Sequence, residues 1–231
     1  MDVGSLVLLH SPLLRAGVLS RLSAELVGRG VAVVAPDIAD DDQPPYGVRY
    51  VARAALSIAQ AAAPSPPLVL VGHGEAGPLL PQVAAALRAG NRRVAGYVFC
   101  DATLPRASAT RLALLEGEDP QRAGALHERL HDGGRLTTWP DTEVARLDDA
   151  DVVSAWARPR AHDFYVEPLP MPPDWPDAPC GYLKLSDERP ALPRTARFRG
   201  WPVTGHDVGH FGIWSSPGAV ADGLLELLDL M

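Results

Sequence analysis

Short, almost unbroken apolar runs alternate along the chain with longer stretches in which apolar residues recur every three or four positions. The runs are Ser5–Leu9, 31–35, 68–71, Val94–Cys100, 181–185 and 198–203. Runs this brief and this apolar suit strands of a parallel sheet covered on both faces. Between them, Leu19, Leu22, Leu26 and Val27 mark one amphipathic helix, closed by Gly28 and Gly30. Tyr50, Val51, Ala54, Ala55 and Ile58 mark a second, which the prolines at 64–67 end. Residues 78–89 and Pro217–Leu230 read as two more. Pro78 and Pro81 fall near a helix start, where a missing N–H costs least. Strand–helix alternation of this kind predicts an α/β fold: a mostly parallel sheet of about six strands with helices on both faces.

The rhythm breaks between 103 and 179. Residues 111–116, 122–131, 143–147 and 151–156 read as short helices, and 168–179 is too rich in proline for helix or inner strand. We therefore expect one domain over 1–231, with 103–179 inserted as a helical cap over the sheet. A chain of 231 residues suits that size of unit, and no internal repeat is visible.

Composition narrows the function classes. Apolar residues make up 47% and charged residues 21%, as in an ordinary globular protein. The net charge of −7, with Lys and Arg scattered, argues against a nucleic-acid or anionic-membrane surface. The longest apolar runs are too short to span a bilayer. The start of the chain lacks the features of a signal peptide, so cytoplasmic residence is expected. Cys100 and Cys180 are expected on the order of 15 Å apart, at opposite ends of neighbouring strands, and unpaired. His127 and His131 share a helix face but lack a third ligand; a solvated face is the simpler reading. With no phosphate loop, dinucleotide fingerprint or metal-ligand spacing, no cofactor or metal is implied, and the expected partner is a small-molecule substrate.

Residues 72–77 read GHGEAG directly after the run 68–71. That is the setting of a nucleophile elbow, G-x-S-x-G, with Gly74 where the serine belongs. His10 and Ser11 follow the first strand. Gly209, His210 and Phe211 precede the closing helix, with Pro217 seven residues after the histidine. In this order and spacing the three segments resemble the α/β-hydrolase superfamily over essentially the whole chain, beginning at what that family counts as its third strand. Residues 175–183, WPDAPCGYL, look like the segment leading into the strand before the catalytic acid in small bacterial-type members. The resemblance implies that His210 is the general base and that the Glu75 backbone N–H is one oxyanion donor. It places His10 and Ser11 in the second oxyanion segment. Pro12 there has no N–H, which leaves Leu13 as the second donor. Chain order favours Asp187 as the acid, with Asp101 and Glu188 as alternatives. His206 is the fallback base, in the same loop as Asp207.

Gly74 decides the chemistry. Losing the serine of such a machine costs on the order of a millionfold in turnover. Glycine also relieves a strained turn, worth roughly 1–3 kcal/mol. His73 and Glu75 flank the apex, and their side chains are expected to project away from the attacking position. Glu75 at a helix start would complement the helix dipole. His10 is expected to organise its loop through backbone hydrogen bonds. Trp139, Trp156, His162, Phe164 and Tyr165 are expected to pack the inserted segment, with several lining the pocket. The leading expectation is a cofactor-free, non-hydrolytic enzyme with a histidine base, of the epimerase, cyclase, dehydratase or lyase type. Its substrate would be a small carbonyl compound, such as a natural-product intermediate. The alternatives are hydrolysis by histidine-activated water without an acyl-enzyme, and an inactive homologue that binds a small molecule or partner.

Overall fold

The computed structural model describes residues 4–63, 66–139, 143–144 and 147–231. Strand β1 (Ser5–Leu9) is buried throughout and leads, through a 3-10 turn at Ala16–Leu19, into α1 (Ser20–Gly28). Strand β2 (Val33–Val34) is shorter than its apolar run, and α2 (Tyr46–Ala61) extends beyond its expected ends. Next come β3 (Leu68–His73), a 3-10 turn over Gly74–Leu79 and α3 (Leu80–Ala89). The third helix thus begins later than the prolines suggested: Pro78 sits inside the 3-10 turn. Strand β4 (Val94–Cys100) follows.

Residues 103–179 hold β5 (Ala109–Thr110), α4 (Arg111–Glu118), α5 (Pro120–His131), α6 (Ala150–Trp156), α7 (His162–Val166) and β6 (Pro168–Leu169). Of the expected helix at 143–147, residues 145–146 lie outside the described residues. Strands β5 and β6 pair antiparallel, apart from the main sheet. The chain then returns through β7 (Cys180–Lys184), α8 (Ala191–Phe198), β8 (Val203–Gly205), α9 (Gly212–Ser215) and α10 (Pro217–Leu230).

The six-stranded sheet has the order β2-β1-β3-β4-β7-β8, and every pairing is parallel. Alternate strand residues feed two cores. Leu6, Leu8, Val69, Val71 and Val98 pack with Leu22 and Leu26 of α1 and Val220 and Leu224 of α10. Val7, Leu9, Leu68, Leu70 and Phe99 pack with α2 and α3 on the other face. Leu126, Trp139, Val153 and Phe164 from 103–179 join the first of these cores.

The expected strand 198–203 is corrected. Phe198 ends α8 and is 93% exposed; Gly200, at φ +75°, reverses the chain before a short strand forms. An apolar residue beside Trp201 mimicked a buried run. Cys100 and Cys180 are buried and free. Cys180 pairs with Tyr97, three residues from Cys100, an offset of about 10 Å along the strands that no disulfide bridges. Among the described residues no helix is long and apolar enough to cross a membrane.

Candidate active site

The apolar run of β3 carries the chain into the sheet's edge and stops at Gly74, where φ is +57°. Only glycine takes that conformation without cost. Gly77 lets the turn close against the exit of β4: a Cβ there would lie 2.2 Å from the Thr103 carbonyl oxygen.

Asp101 stands immediately after β4, buried, with φ +44°. Its Oδ2 accepts a hydrogen bond from His210 Nδ1 at 2.8 Å. The backbone N–H groups of Leu185 and Ser186 donate to Oδ1 at 3.3 Å each, and the Ser186 hydroxyl reaches Oδ2 at 3.1 Å. Burial opposes ionisation, but the His210 hydrogen bond and charge, aided by Arg189, hold the carboxyl at about 2. With Nδ1 donating to a carboxylate, Nε2 is the nitrogen left to act. It lies 3.4 Å from the position a Cβ on Gly74 would occupy, and Cε1 lies 3.3 Å from it. The imidazole therefore faces the bare apex of the turn.

The imidazole is held from several sides. The His210 N–H donates to Glu143 Oε2 at 3.3 Å, and its carbonyl accepts from His73 Nε2 at 2.9 Å. The His73 and His210 rings lie 4.3 Å apart at 31°, and Trp139 lies 6.1 Å away, near parallel. His73 thus packs beneath the imidazole instead of projecting away. Burial, then the neighbouring His210, push the His73 ring down to about 3, so it is neutral.

The acid is where the sequence reading needs correcting. Asp187 has a side chain 71% exposed and pairs with Lys184. Glu188, His206 and Asp207 are exposed as well. The end of β7 supplies donors to Asp101 through Leu185 and Ser186, so the residues beyond it turn outward. Asp101, held as an alternative, is the carboxylate on His210.

The oxyanion segment is tied down locally. His10 Nδ1 bonds the Ser11 carbonyl at 2.9 Å, Ile38 N–H donates to its Nε2 at 3.3 Å, and Tyr50 donates to its carbonyl at 2.6 Å. The Leu13 N–H is spent on Ser11 Oγ at 3.1 Å, so it is engaged within the loop. The Ser11 hydroxyl keeps its own proton to donate, and its Cβ is 3.5 Å from the Gly74 Cβ position.

Glu75 lies in the first turn after the strand, as expected, but it is 4% exposed and engaged there by side chains. Its Oε1 accepts from the Thr103 hydroxyl at 2.9 Å and lies 4.0 Å from Arg189 Nη2. Arg189 in turn pairs with Glu118 at 2.6 Å and donates to the Asp101 carbonyl at 3.3 Å. Sequence reasoning missed Thr103, Ser186, Arg189 and Glu143. Ser186 alone carried a signal, following an apolar run; the others are brought in by distant packing. Asp101 and His210 line a cavity of about 20 Å³, room for roughly one water. It shares Leu115, Arg122, Ser186 and Arg189 with a neighbouring cavity of about 920 Å³.

A parallel sheet flanked by helices, with a sharp turn after its third strand and an Asp–His pair facing the apex at Gly74, defines an α/β scaffold of the hydrolase type. The chain belongs to the alpha/beta hydrolase family, whose profile matches residues 6–223. Comparison with curated proteins gives no match. Among solved structures, an extracellular α/β-hydrolase from a Paenibacillus species, described as sharing structural and functional homology with tobacco salicylic acid binding protein 2, is 19% identical. It superposes with a TM-score of 0.78, covering 96% of this chain and 98% of that one. Tomato methylketone synthase I, complexed with 2-tridecanone, is 15% identical at a TM-score of 0.67, covering 100% and 99%. Polyneuridine aldehyde esterase is also 15% identical at 0.67, covering 99% of each chain. At these identities the likeness is one of fold.

Proposed function

We propose that the protein is a cofactor-free enzyme in which His210 moves protons on a small carbonyl compound, with no acyl-enzyme. One observation carries this reading: Nε2 of His210, oriented through Nδ1 by Asp101, faces a turn apex that bears no side-chain oxygen. Nε2 takes a proton from the carbon beside the carbonyl, and the C–H electron pair moves onto the carbonyl oxygen as an enolate. The imidazolium is paired with Asp101. The Glu75 N–H and the Ser11 hydroxyl donate to the enolate oxygen. Return of the proton after the enolate has turned its other face to Nε2 gives an epimer; expulsion of a β-substituent with its electron pair gives a lyase product. Residues 103–179 act as the cap that excludes water from this exchange.

Two further points support activity over decay. Asp101 keeps a left-handed backbone, a cost of roughly 1–2 kcal/mol for a non-glycine residue, and that conformation places its carboxylate on His210. Methylketone synthase I, whose structures carry a methyl ketone and β-ketoheptanoate, has the same fold and takes carbonyl ligands.

The test is deuterium uptake from heavy water into the carbon beside the ketone of γ-ketoheptanoate, followed by NMR. His210→Ala should lower the rate at least a hundredfold while leaving ligand binding intact. Retained exchange would remove the base role. Solvent oxygen appearing in the acid product of an ester, in labelled water, would instead support histidine-activated hydrolysis.

A further inference from the structure

Arg111, the first residue of α4, is 2% exposed. A cation at a helix N-terminus opposes the helix dipole, and a guanidinium buried without full hydrogen bonding is costly. Its Nη1 donates to the Phe164 carbonyl at 3.1 Å, and its plane sits 4.0 Å from the Phe164 ring centroid. Among the described residues, Nε and Nη2 have no hydrogen-bond partner. Those two atoms share one edge of the guanidinium and point their N–H groups in parallel. That edge is the fork that receives both oxygens of a carboxylate.

Phe164, on which the guanidinium lies, lines a small cavity with Pro12 and Tyr50, and Tyr50 donates to the His10 carbonyl of the oxyanion segment. Among charged groups, Glu75, next to Gly74 in the chain, acts most strongly on Arg111, followed by Glu167. Neither fills the fork. Glu167 spends its two oxygens on the N–H groups of Tyr46 and Gly47, at 2.6 and 2.7 Å. Glu75 spends Oε1 on Thr103, and its Oε2 is itself buried and unpartnered. Two complementary groups, a double donor and a single acceptor, are thus both buried and without a partner among the described residues. Leaving one such buried group unpaired costs about 1–3 kcal/mol, and natural structures keep few of them.

We infer that Arg111 anchors a carboxylate on the substrate, and that Glu75 Oε2 accepts a hydrogen bond from a hydroxyl or enol on the same molecule. The substrate class is then a hydroxy or enolisable keto acid. A carboxylate ion-paired in a buried fork is stabilised relative to neutral carbon dioxide, since decarboxylation would carry its charge away from the guanidinium; the acid group is a handle, and the reaction occurs at the carbonyl end. This rests on the proposal that the elbow is a working proton-transfer site, and deepens it.

The experiment compares γ-ketoheptanoate with its methyl ester, which has nearly the same shape and no charge, by titration calorimetry. The wild-type protein should bind the acid at least tenfold more tightly than the ester. Arg111→Gln should bring the two within twofold, and Arg111→Lys, which keeps the charge but not the fork, should leave a preference of only a few fold. His210→Ala should keep the full tenfold preference while losing exchange, which separates the anchor from the base. Equal binding of acid and ester by the wild type overturns the inference whether or not the variants fold. So does an undiminished preference in an Arg111→Gln protein with native-like melting.

Discussion

On the His210 side of the Gly74 turn, both oxygens of Asp101 accept hydrogen bonds, and the ring is braced by Glu143, His73 and Trp139. On the Glu75 side, a carboxylate oxygen and two guanidinium nitrogens are buried with no partner. Buried polar groups are ordinarily satisfied. Among the described residues the first side is therefore largely satisfied without a ligand, apart from the buried His73 Nδ1, and it leaves His210 Nε2 open. On the reading proposed above, the second side is completed by what binds. A fixed imidazole on one wall and unpaired polar groups on the other match the division of labour that the proposed proton transfer requires.

The largest break in that comparison comes from Asp101→Ala. It strips the acceptor from His210 Nδ1, two backbone N–H groups and the Ser186 hydroxyl at once. Removing one partner of a buried pair costs about 3–5 kcal/mol, measurable by urea unfolding. Exchange into γ-ketoheptanoate should fall on the order of a thousandfold, since the imidazolium loses its counter-charge and the ring its orientation.

That residue also marks the limit of what the sequence tells. The sheet, its helices and the final helix Pro217–Leu230 were legible because apolar runs and helical spacing are local signals, and Pro217 fixes a start. The elbow was legible because a glycine-rich turn after a buried strand is local as well. The acid was not. Asp187 preserves chain order, but the choice depends on which strand end donates to which, and the Leu185 and Ser186 N–H groups point toward Asp101. Likewise Glu75 was legible at a helix start, but its enclosure by Thr103 and Arg189, distant in the chain, was not.

Acid sharpens the comparison next. His73 is neutral in the folded protein at about 3, against 6.5 when unfolded. The unfolded chain therefore binds a proton that the folded one refuses, so stability falls as pH drops from 6.5 toward 3. At pH 5 the loss from His73 is about 2 kcal/mol. His10, also lowered by burial, adds in the same direction. Asp101, depressed to about 2 from 3.8, contributes stability that is present above 3.8 and lost as pH falls through 2. Melting between pH 7 and 5 should thus track the histidines, and His73→Gln should flatten the curve. An unchanged slope would mean that His73 titrates normally and is not sealed beneath His210.

Gly74→Ser tests the closed side by adding an atom to it. The backbone at φ +57° costs a serine roughly 1–2 kcal/mol, which shifts the melting temperature by a few degrees in a chain of this size. The new Cβ, at 3.3 Å from His210 Cε1, asks the ring to yield by a few tenths of an ångström. The expected result is a stoichiometric burst with p-nitrophenyl acetate that is absent when the parent is assayed alongside. A burst would mean that Asp101, His210 and the apex are aligned for nucleophilic attack; silence would mean that the histidine loop has drifted from hydrolytic geometry.

The smallest effect belongs to Asp187→Ala, and its smallness is informative. The side chain is 71% exposed, its partner Lys184 is three residues away, and no donor from the histidine loop reaches it. Exposed pairs of this kind contribute about 0–1 kcal/mol. Melting and exchange should therefore stay within about 0.5 kcal/mol and twofold of the parent. A large loss of exchange, with folding intact, would mean that the loop after β7 swings during turnover and hands His210 a second carboxylate. The braced side would then be one of two working states, and the asymmetry between the walls would be a property of the resting protein alone.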